Sequence, residues 1–221
     1  MMIKNIIKNI PFIKRKLVER EINKIMETRS KLRYAQIFDI LKNKKVKTIM
    51  EIGTWNGLQG YIMIKLCNKN NTNVEYYGFD LFNEMTNEIF KKEISKKPPS
   101  KNDVMEMLQL TGAKVYLFGG NTTKTLPENI NKLPLMDFIF IDGGHSLETI
   151  KNDWYYVQKV IGKDSIVIFD DYWEGRNDAG CKEIIEGIDQ KKFKVEILPK
   201  QDCFEKKDGL LKISLVKVTL T

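Results

Sequence analysis

Two short apolar segments that each end in acidic residues constrain the fold of this chain most strongly. The first, FIFI at 138–141, is followed by Asp142. The second, IVIF at 166–169, is followed by Asp170 and Asp171. Apolar residues between the two segments recur at steps of three and four, the period of an amphipathic helix: Leu147, Ile150, Trp154, Val157 and Ile161. A buried strand, a helix and another buried strand in this order predict a parallel sheet.

The same alternation of strands and helices extends along most of the chain. Strand patterns occur at 46–52, 74–79, 114–118, 136–141 and 165–169. Helix patterns occur at 12–28, 32–43, 57–68, 147–161 and 178–188, and in two pieces of 84–110 that separate at Pro98 and Pro99. Residues 193–198 and 211–218 predict a closing hairpin that turns at Asp208 and Gly209.

This order of elements predicts an α/β fold with a doubly wound, Rossmann-like and mostly parallel sheet. The closing hairpin is expected to place one antiparallel strand at an edge of that sheet. We expect a basic helical N-terminal extension at 1–45 and one α/β domain at 46–221, which is long enough to bury a core of its own.

Charge is distributed unevenly along the chain. Residues 1–48 contain 14 Lys and Arg against 4 Asp and Glu, a net charge of +10. The remaining residues contain 23 against 25, a net charge of −2. Because a nucleic-acid-binding enzyme carries basic residues around its active cleft, this distribution argues against a nucleic-acid partner for the domain.

The basic N-terminal segment, residues 1–18, has the pattern of an amphipathic helix. Four isoleucines among its first ten residues recur at helical spacing with lysines between them, and Pro11 ends the run. A helix of this kind can lie on an anionic membrane surface, so peripheral membrane contact is one interpretation. The alternatives are packing on the domain or against a second copy of the chain in a homo-oligomer.

The sequence predicts a cytoplasmic protein, with the inner face of the membrane as the alternative location. No run approaches the roughly 18 apolar residues of a membrane span. Lysines interrupt every candidate signal-peptide core near the N-terminus. The three cysteines, Cys67, Cys181 and Cys203, are odd in number, far apart and without a C-x-x-C pair, which favours a reduced protein over a disulfide scaffold.

Polar residues stand at the carboxyl ends of the predicted strands. Those ends meet at one edge of a parallel sheet, where ligands of open α/β sheets bind. The loop after the first strand has glycines at 53 and 57 but lacks G-x-G-x-x-G, which argues against a nicotinamide dinucleotide. Gly53 lets a ligand approach the backbone closely, and Asp80 is placed to accept hydrogen bonds from ribose hydroxyls. The strand-end set is Glu51, Asp80, Asn121, Asp142, Asp170 and Asp171.

Three of these acids, Asp142, Asp170 and Asp171, form a candidate metal site. Carboxylates at adjacent strand ends repel one another, and a cation offsets that repulsion. Hard oxygen ligands suit Mg²⁺ or Mn²⁺. His145, the single histidine, lies three residues after Asp142 and can act as a general base. Asp142 is expected to raise its pKa and a bound dication to lower it, with the larger effect from the dication. The alternatives are helix caps for the acids, a capping or surface position for His145, and a turn position for Asn121.

The motifs resemble those of a known enzyme family. Glu51-x-Gly53-x-x-x-Gly57, Asp80 after the second strand and Asp142 after the fourth resemble the S-adenosylmethionine-dependent class I methyltransferases. More narrowly, IDGGH at 141–145 with FDD at 169–171 resembles the metal-dependent O-methyltransferases that modify sugars on macrolide and aminocoumarin antibiotics.

The resemblance implies roles for individual residues. S-adenosylmethionine would be held by Glu51, Gly53, Gly57, Asp80, Asn121 and Asp142. Magnesium or manganese would be held by Asp142, Asp170 and Asp171, with His145 as the base and Asp142 also catalytic. The expected activity is O-methylation of a sugar hydroxyl in a glycan, a nucleotide sugar or a glycosylated metabolite.

Three other functions compete with this expectation. The first is methylation of a phenolic or other small acceptor, although the Asp170-Asp171 pair departs from the Asp-Asn of catechol-type enzymes. The second is a nucleic-acid-binding protein or an RNA methyltransferase, which the basic segment suggests. Base N-methyltransferases usually carry Asn/Asp-Pro-Pro-aromatic, however, and the Pro-Pro here lies in KPPS at 97–100. The third is a catalytically silent scaffold.

Overall fold

The computed structural model describes residues 33–69, 73–93, 97–176, 178–206 and 209–221. The basic N-terminal segment and the helix predicted at 12–28 lie outside these residues. None of the helices in the described ranges is long and apolar enough to cross a membrane.

Helices and strands alternate through the described part of the chain. The strands are β1 (Thr48–Ile52), β2 (Glu75–Asp80), β3 (Lys114–Gly119), β4 (Met136–Ile141), β5 (Ile161–Glu174), β6 (Phe193–Lys206) and β7 (Gly209–Leu220). The α-helices are α1 (Ala35–Lys42), α2 (Leu58–Asn68), α3 (Asn87–Lys92), α4 (Lys101–Gln109), α5 (Thr122–Asn129), α6 (Leu147–Val157) and α7 (Lys182–Glu186). Short 3-10 turns occupy Phe82–Glu84, Ile130–Lys132 and Gln158–Val160.

The strands form one sheet in the order β3-β2-β1-β4-β5-β7-β6. Strands β1 to β5 are parallel, and β7 pairs antiparallel with both β5 and β6. The doubly wound, mostly parallel fold is therefore confirmed. The chain order reverses between β1 and β4, and such a switch point opens a crevice at the carboxyl ends of the strands.

The antiparallel strand β7 does not lie at the edge of the sheet, and this part of the prediction was wrong. Strand β7 is inserted between β5 and β6, so β6 forms the edge. The reason lies in the side chains. Leu215, Val216 and Val218 of β7 are fully buried, as a strand with neighbours on both sides requires. Strand β6 carries the exposed Lys194 and Glu196, which suit an edge.

Helix α1 packs into the core beside α2. Ile37, Phe38 and Leu41 are buried in the same apolar cluster as Ile62 of α2. The three α1 residues follow the i, i+1, i+4 pattern of an apolar helix face. The helix predicted at 32–43 is thereby confirmed, and its docking fixes the position of the two residues described before it, Arg33 and Tyr34.

Two features of the sheet and its helices depart from the sequence-based expectation. Helix α5 was not predicted, because Pro127 and a polar composition hide its period. Strand β5 continues past its predicted end at residue 169 to Glu174, so Asp170 and Asp171 lie within it. The pairing with β7 shifts register between Phe169 and Tyr172, which marks a β-bulge at these two acids.

Candidate functional site

A cavity of about 500 Å³ opens at the carboxyl ends of the parallel strands. Most of the predicted site residues converge on it: Gly53, Asp80, Asn121, Asp142, His145, Asp170 and Asp171. Two predicted ligands, Glu51 and Gly57, are not among the described residues of its wall.

Gly53 joins the loop after β1 to the end of β4. Its backbone is left-handed (φ 90°), and a Cβ at this position would lie 1.8 Å from the carbonyl oxygen of Asp142. Only glycine fits there. Gly57 is also left-handed (φ 76°), but a Cβ on it would lie 3.0 Å from a methyl group of Val104, so its surroundings are those of the helix α2 start.

Glu51 lies behind the glycine loop rather than in the cavity wall. Its side chain is 1% exposed, and its carboxyl group accepts a hydrogen bond from the hydroxyl of Tyr76. Burial raises the pKa of Glu51 to about 8, although the Tyr76 hydrogen bond lowers it. A direct contact between Glu51 and a ligand stays a prediction.

Asp80 and Asn121 stand in the wall with local hydrogen bonds already made. The Asp80 carboxylate accepts from the backbone N–H of Trp55 at 2.6 Å and of Phe82 at 3.2 Å. Burial raises its pKa, against these hydrogen bonds. Asn121 caps helix α5, since its Oδ1 accepts from the backbone N–H of Thr123 at 2.9 Å. In neither Asp80 nor Asn121 do these hydrogen bonds occupy every donor or acceptor site of the side chain.

The bulge in β5 brings two consecutive carboxylates into one site. Successive side chains of a regular strand face opposite sides of a sheet. Asp171 instead has a left-handed backbone (φ 60°), and its side chain joins that of Asp170. Carboxylate oxygens of Asp142, Asp170 and Asp171 all lie within 4.8 Å of one another. The predicted acid cluster therefore exists in the described structure.

Arg33 and Tyr34, just before α1, contact this acid cluster and were not predicted. The Nε and Nη2 of Arg33 each lie 2.9 Å from an oxygen of Asp170, and Nη1 bonds Asp202. The Tyr34 hydroxyl donates to Asp170 and lies 3.3 Å from Asp142. Because Arg33 and Asp170 are 137 residues apart, this contact depends on how α1 docks, which no local pattern reveals.

The three carboxyl groups respond differently to their surroundings. Burial, together with the charges of Asp170 and Asp171, raises the pKa of Asp142 well above its usual value. Burial and Asp171 also raise the pKa of Asp170, although Arg33 opposes this. Burial alone would raise the pKa of Asp171, but hydrogen bonds from His145 and Trp173 hold it below its usual value.

His145 is held between two hydrogen-bond acceptors. Its Nε2 lies 2.9 Å from Asp171 Oδ2, and its Nδ1 contacts the backbone carbonyl of Glu93. Burial would lower the pKa of His145, but Asp171 reverses the effect and the pKa is raised. The expectation that Asp142 raises this pKa named the wrong partner, because the imidazole faces Asp171 across the site.

The donor set of the acid cluster fits a divalent cation. Asp170 is buried, Asp142 and Asp171 are partly buried, and all three offer hard oxygens with about four lone-pair sites per carboxylate. Asp171 uses one lone-pair site for the contact with His145 and one for the hydrogen bond from Trp173, at 3.0 Å. Its other lone-pair sites can bind a cation. Arg33 already supplies one positive charge to Asp170, so a bound cation would share that carboxylate with the guanidinium.

The comparisons with known proteins agree on the fold. Residues 50–172, more than half of the chain, match a family model described as "Methyltransferase domain". No curated protein matches the chain in sequence. An O-methyltransferase from Bacillus cereus in complex with SAH superposes with a TM-score of 0.58 at 13% identity, covering 91% of this chain and 90% of that chain.

Two further solved structures give similar superpositions. TomG from Streptomyces achromogenes, an O-methyltransferase of tomaymycin synthesis in complex with SAM, has a TM-score of 0.56 at 14% identity, covering 83% of this chain and 78% of that chain. An rRNA methylase from Streptococcus thermophilus has a TM-score of 0.55 at 10% identity, covering 85% and 97%. Identities this low establish a shared fold and leave the substrate open.

Proposed function

Because the chain belongs to the methyltransferase domain family, we propose that it transfers the methyl group of S-adenosylmethionine to a hydroxyl oxygen, with a divalent cation in the acid cluster. The observation that carries the proposal is the meeting of three features in one cavity. These are the Gly53 loop, the Asp80 carboxylate and the cluster of Asp142, Asp170 and Asp171.

Donor binding is supported by the first two features. The backbone at Gly53 is open to a close approach, and Asp80 retains lone pairs for ribose hydroxyls at the end of β2. Calorimetry should detect binding of S-adenosylmethionine and of S-adenosylhomocysteine, and none of NAD. Asp80→Asn should weaken both by roughly 10–100-fold, the value of a hydrogen bond to a charged group. Glu75→Gln, at the opposite end of β2, is the matched control.

Acceptor activation is supported by the acid cluster. A sugar hydroxyl is too weak an acid to attack a methyl group unaided at neutral pH. A divalent cation held by Asp142, Asp170 and Asp171 would lower the pKa of a hydroxyl next to it. The acceptor oxygen then forms a bond to the methyl carbon, and the carbon–sulfur electron pair stays on sulfur as a neutral thioether.

His145 is the group that takes the acceptor proton in this proposal. The Glu93 carbonyl can keep a proton on Nδ1, which leaves Nε2 as the basic nitrogen. Asp171, 2.9 Å from Nε2, stabilises the imidazolium that forms. Once protonated, Nε2 of His145 donates to Asp171, and this is the hydrogen bond that lowers the pKa of that carboxyl group.

The charge of the cavity wall favours a sugar or other small acceptor over nucleic acid. Among the described residues of the wall, the basic ones are Arg33, Lys92 and His145, and the first two are paired with Asp170 and Glu148. A nucleic-acid backbone is bound through basic groups that are free to neutralise phosphates. The acidic residues of the wall are Asp80, Glu93, Asp142, Glu148, Asp153, Asp170 and Asp171.

A screen with methyl-labelled donor tests the proposal directly. Nucleotide sugars and glycans, a catechol and RNA are offered as acceptors, with Mg²⁺, with Mn²⁺ and with excess chelator. We expect labelling of a carbohydrate that the chelator abolishes. Asp142→Asn should lose metal binding while it still binds S-adenosylhomocysteine. Full activity in chelator would rule out the cation, and labelling of RNA or of the catechol alone would rule out the sugar.

A further inference from the structure

Glu93, just after helix α3, has a buried carboxylate that the proposed chemistry does not use. The residue is 7% exposed although it belongs to the cavity wall. Its Oε2 accepts from the backbone N–H of Ser146, and its Oε1 accepts from the hydroxyls of Ser146 and Thr149, each at 2.9 Å. A buried carboxylate is unfavourable unless it is hydrogen-bonded, and these donors offset that penalty. Glu93 therefore holds the end of α3 against the start of α6.

These contacts complete the N-terminal cap of helix α6. Ser146 is the N-cap residue, and its hydroxyl accepts from the backbone N–H of Thr149 at 3.4 Å. In a capping box, the third residue of the helix is Glu or Gln, whose side chain accepts from the backbone N–H of the N-cap residue. The third residue of α6 is Thr149, and Glu93 takes that role from another element. The cap thus ties Glu93 to the residue that directly precedes Ser146, which is His145.

Gly144 leaves room for this carboxylate. A Cβ at position 144 would lie 2.4 Å from Oε2 of Glu93 and 2.9 Å from its carboxyl carbon. Because its hydrogen bonds to Ser146 and Thr149 hold the carboxylate in place, a larger residue here would push it off the start of α6. The second glycine of IDGGH therefore has a local role that the donor and metal contacts do not supply.

Glu93 also contacts His145 through its backbone. Its carbonyl oxygen lies against Nδ1 of the imidazole, while Nε2 faces Asp171 at 2.9 Å. The stacked ring of Trp173, 5.5 Å away between centroids, restricts the tilt of the imidazole. A neutral imidazole has one N–H, so the Glu93 carbonyl and the Asp171 carboxylate compete for its proton.

We propose that Glu93 is a positioning residue for His145: its carboxylate fixes its own carbonyl against Nδ1, which keeps the proton on that nitrogen and leaves Nε2 to take the proton of the acceptor. This step rests on the proposed function, in which the Asp171 carboxylate also binds the cation. The charge of a cation there weakens the competing acceptor, so the Glu93 carbonyl becomes the preferred partner of the imidazole N–H.

The tautomer of His145 can be measured directly, because it is the single histidine of the chain. The untagged full chain, labelled with nitrogen-15 in histidine, is examined by nuclear magnetic resonance with Mg²⁺ at a pH where the imidazole is neutral. The wild type should carry the proton on Nδ1. Glu93→Ala should show a mixture of both tautomers and a kcat lower by about 10²-fold, the effect of a misplaced catalytic group. Calorimetry should find its affinity for S-adenosylhomocysteine nearly unchanged.

Three further variants serve as controls. Glu93→Gln should restore the tautomer and the rate, because its amide oxygen can accept from the N–H of Ser146 and its amide nitrogen can donate to the hydroxyl oxygens. Glu88→Ala removes an exposed acid of the same helix and should match the wild type. Thr149→Val removes one hydroxyl donor and should shift the tautomer less, in the same direction, which keeps the test decisive if Glu93→Ala does not fold.

The outcomes separate this proposal from the proposed function. A wild-type proton on Nε2 would overturn the role of Glu93. So would a loss of stability in Glu93→Ala with the wild-type tautomer and rate, since Glu93 would then be a helix cap alone. If the wild type has the expected tautomer and Glu93→Ala loses it, but no acceptor is methylated, the proposed function is wrong and the placement of the proton by Glu93 stands.

Discussion

The carboxyl group of Glu51 is an acid that folding keeps protonated near neutral pH. Its pKa is about 8 in the folded chain, above the ordinary value of 4.5. Between these two values the folded state binds a proton that the unfolded state has released, so stability falls as pH rises. The stabilising contribution is complete below about pH 4.5 and is lost as pH rises through about 8.

Glu51→Gln should remove this pH dependence. Glutamine can still accept the Tyr76 hydrogen bond but does not ionise. Between about pH 5 and about pH 8 the wild-type protein should lose unfolding free energy, by on the order of 1.4 kcal/mol for each unit that the pKa is raised. The variant should not lose it, so its stability relative to wild type should rise over this range. Urea denaturation at both pH values measures the change. Parallel pH dependence in the two proteins would contradict the buried, protonated state of Glu51.

His145 should give the enzyme a rate that depends on pH. A general base must be neutral, so the rate should rise through the pKa of His145, which the structure raises above 6.5. His145→Ala should lose roughly 10²–10⁴-fold in rate and also the rising limb of the pH profile. Calorimetry should find its affinity for S-adenosylhomocysteine nearly unchanged. If the pH profile of His145→Ala were unchanged, a group other than His145 would take the acceptor proton.

Single residues differ in how well the sequence predicts them. Asp142, Asp170 and Asp171 could be found because each follows an apolar strand pattern, and position along a parallel strand determines which edge a residue reaches. Arg33 could not be found, since its contact depends on the docking of α1. Glu51 was expected in the ligand site from its place before the glycine loop, but that place does not reveal which way the side chain faces.

At the scale of elements, the bulge in β5 is what builds the acid cluster. Asn adopts the left-handed backbone of Asp171 (φ 60°) more easily than Ala does. Asp171→Asn should therefore keep most of the stability and lose affinity for Mn²⁺, whereas Asp171→Ala should lose both, with an added penalty of roughly 1 kcal/mol. Thermal unfolding and metal titration measure the two effects. Asp164→Asn, exposed in the same strand, should change neither.

Helix α1 lies within the predicted N-terminal extension, residues 1–45, and its packing shows whether this part of the extension folds with the domain. Leu41 is fully buried in the main core, whereas Lys42 beside it is exposed. Leu41→Ala should reduce the unfolding free energy by roughly 2–5 kcal/mol in a single cooperative transition, and Lys42→Ala by less than about 0.5 kcal/mol. Denaturant unfolding followed by fluorescence measures both. A small effect of Leu41→Ala would support an independent extension that ends at residue 45.

Elements with a strong period were predicted closely, and the others were not. The pattern at 136–141 matches β4 (Met136–Ile141) to the residue, because Pro134 lies just before it and the polar Asp142 follows it. Helix α5 has few apolar residues, and Asn121, which caps it, was interpreted as a ligand or turn residue. Strand β5 runs on through Tyr172 and Trp173, where the sequence contains no turn residue to end it.

At the scale of the whole molecule, alternation of strands and helices was enough to predict the class of fold, and the family match confirms the predicted methyltransferase family. The charged residues of β6 indicate that it is the edge strand. The prediction instead placed the antiparallel strand, which is β7, at the edge. The sugar acceptor and the metal stay predictions. Only the tertiary structure reveals that Arg33 and Tyr34, just before α1, contact the acid cluster.

The uneven charge of the chain predicts that its basic N-terminal segment binds an anionic membrane surface. The net charge of +10 in residues 1–48 includes five basic residues of the basic N-terminal segment: Lys16 and a set of four, Lys4, Lys8, Lys14 and Arg15. Each basic residue near an anionic surface contributes about 1 kcal/mol, and salt screens the attraction. The full chain should therefore sediment with vesicles that contain phosphatidylserine, and less so as salt rises. Replacing the four residues by Gln should weaken binding by about 4 kcal/mol, roughly 10³-fold, and leave methyl transfer intact. Equal binding to neutral vesicles, or binding that the four replacements do not change, would leave packing on the domain or in a homo-oligomer as the role of this segment.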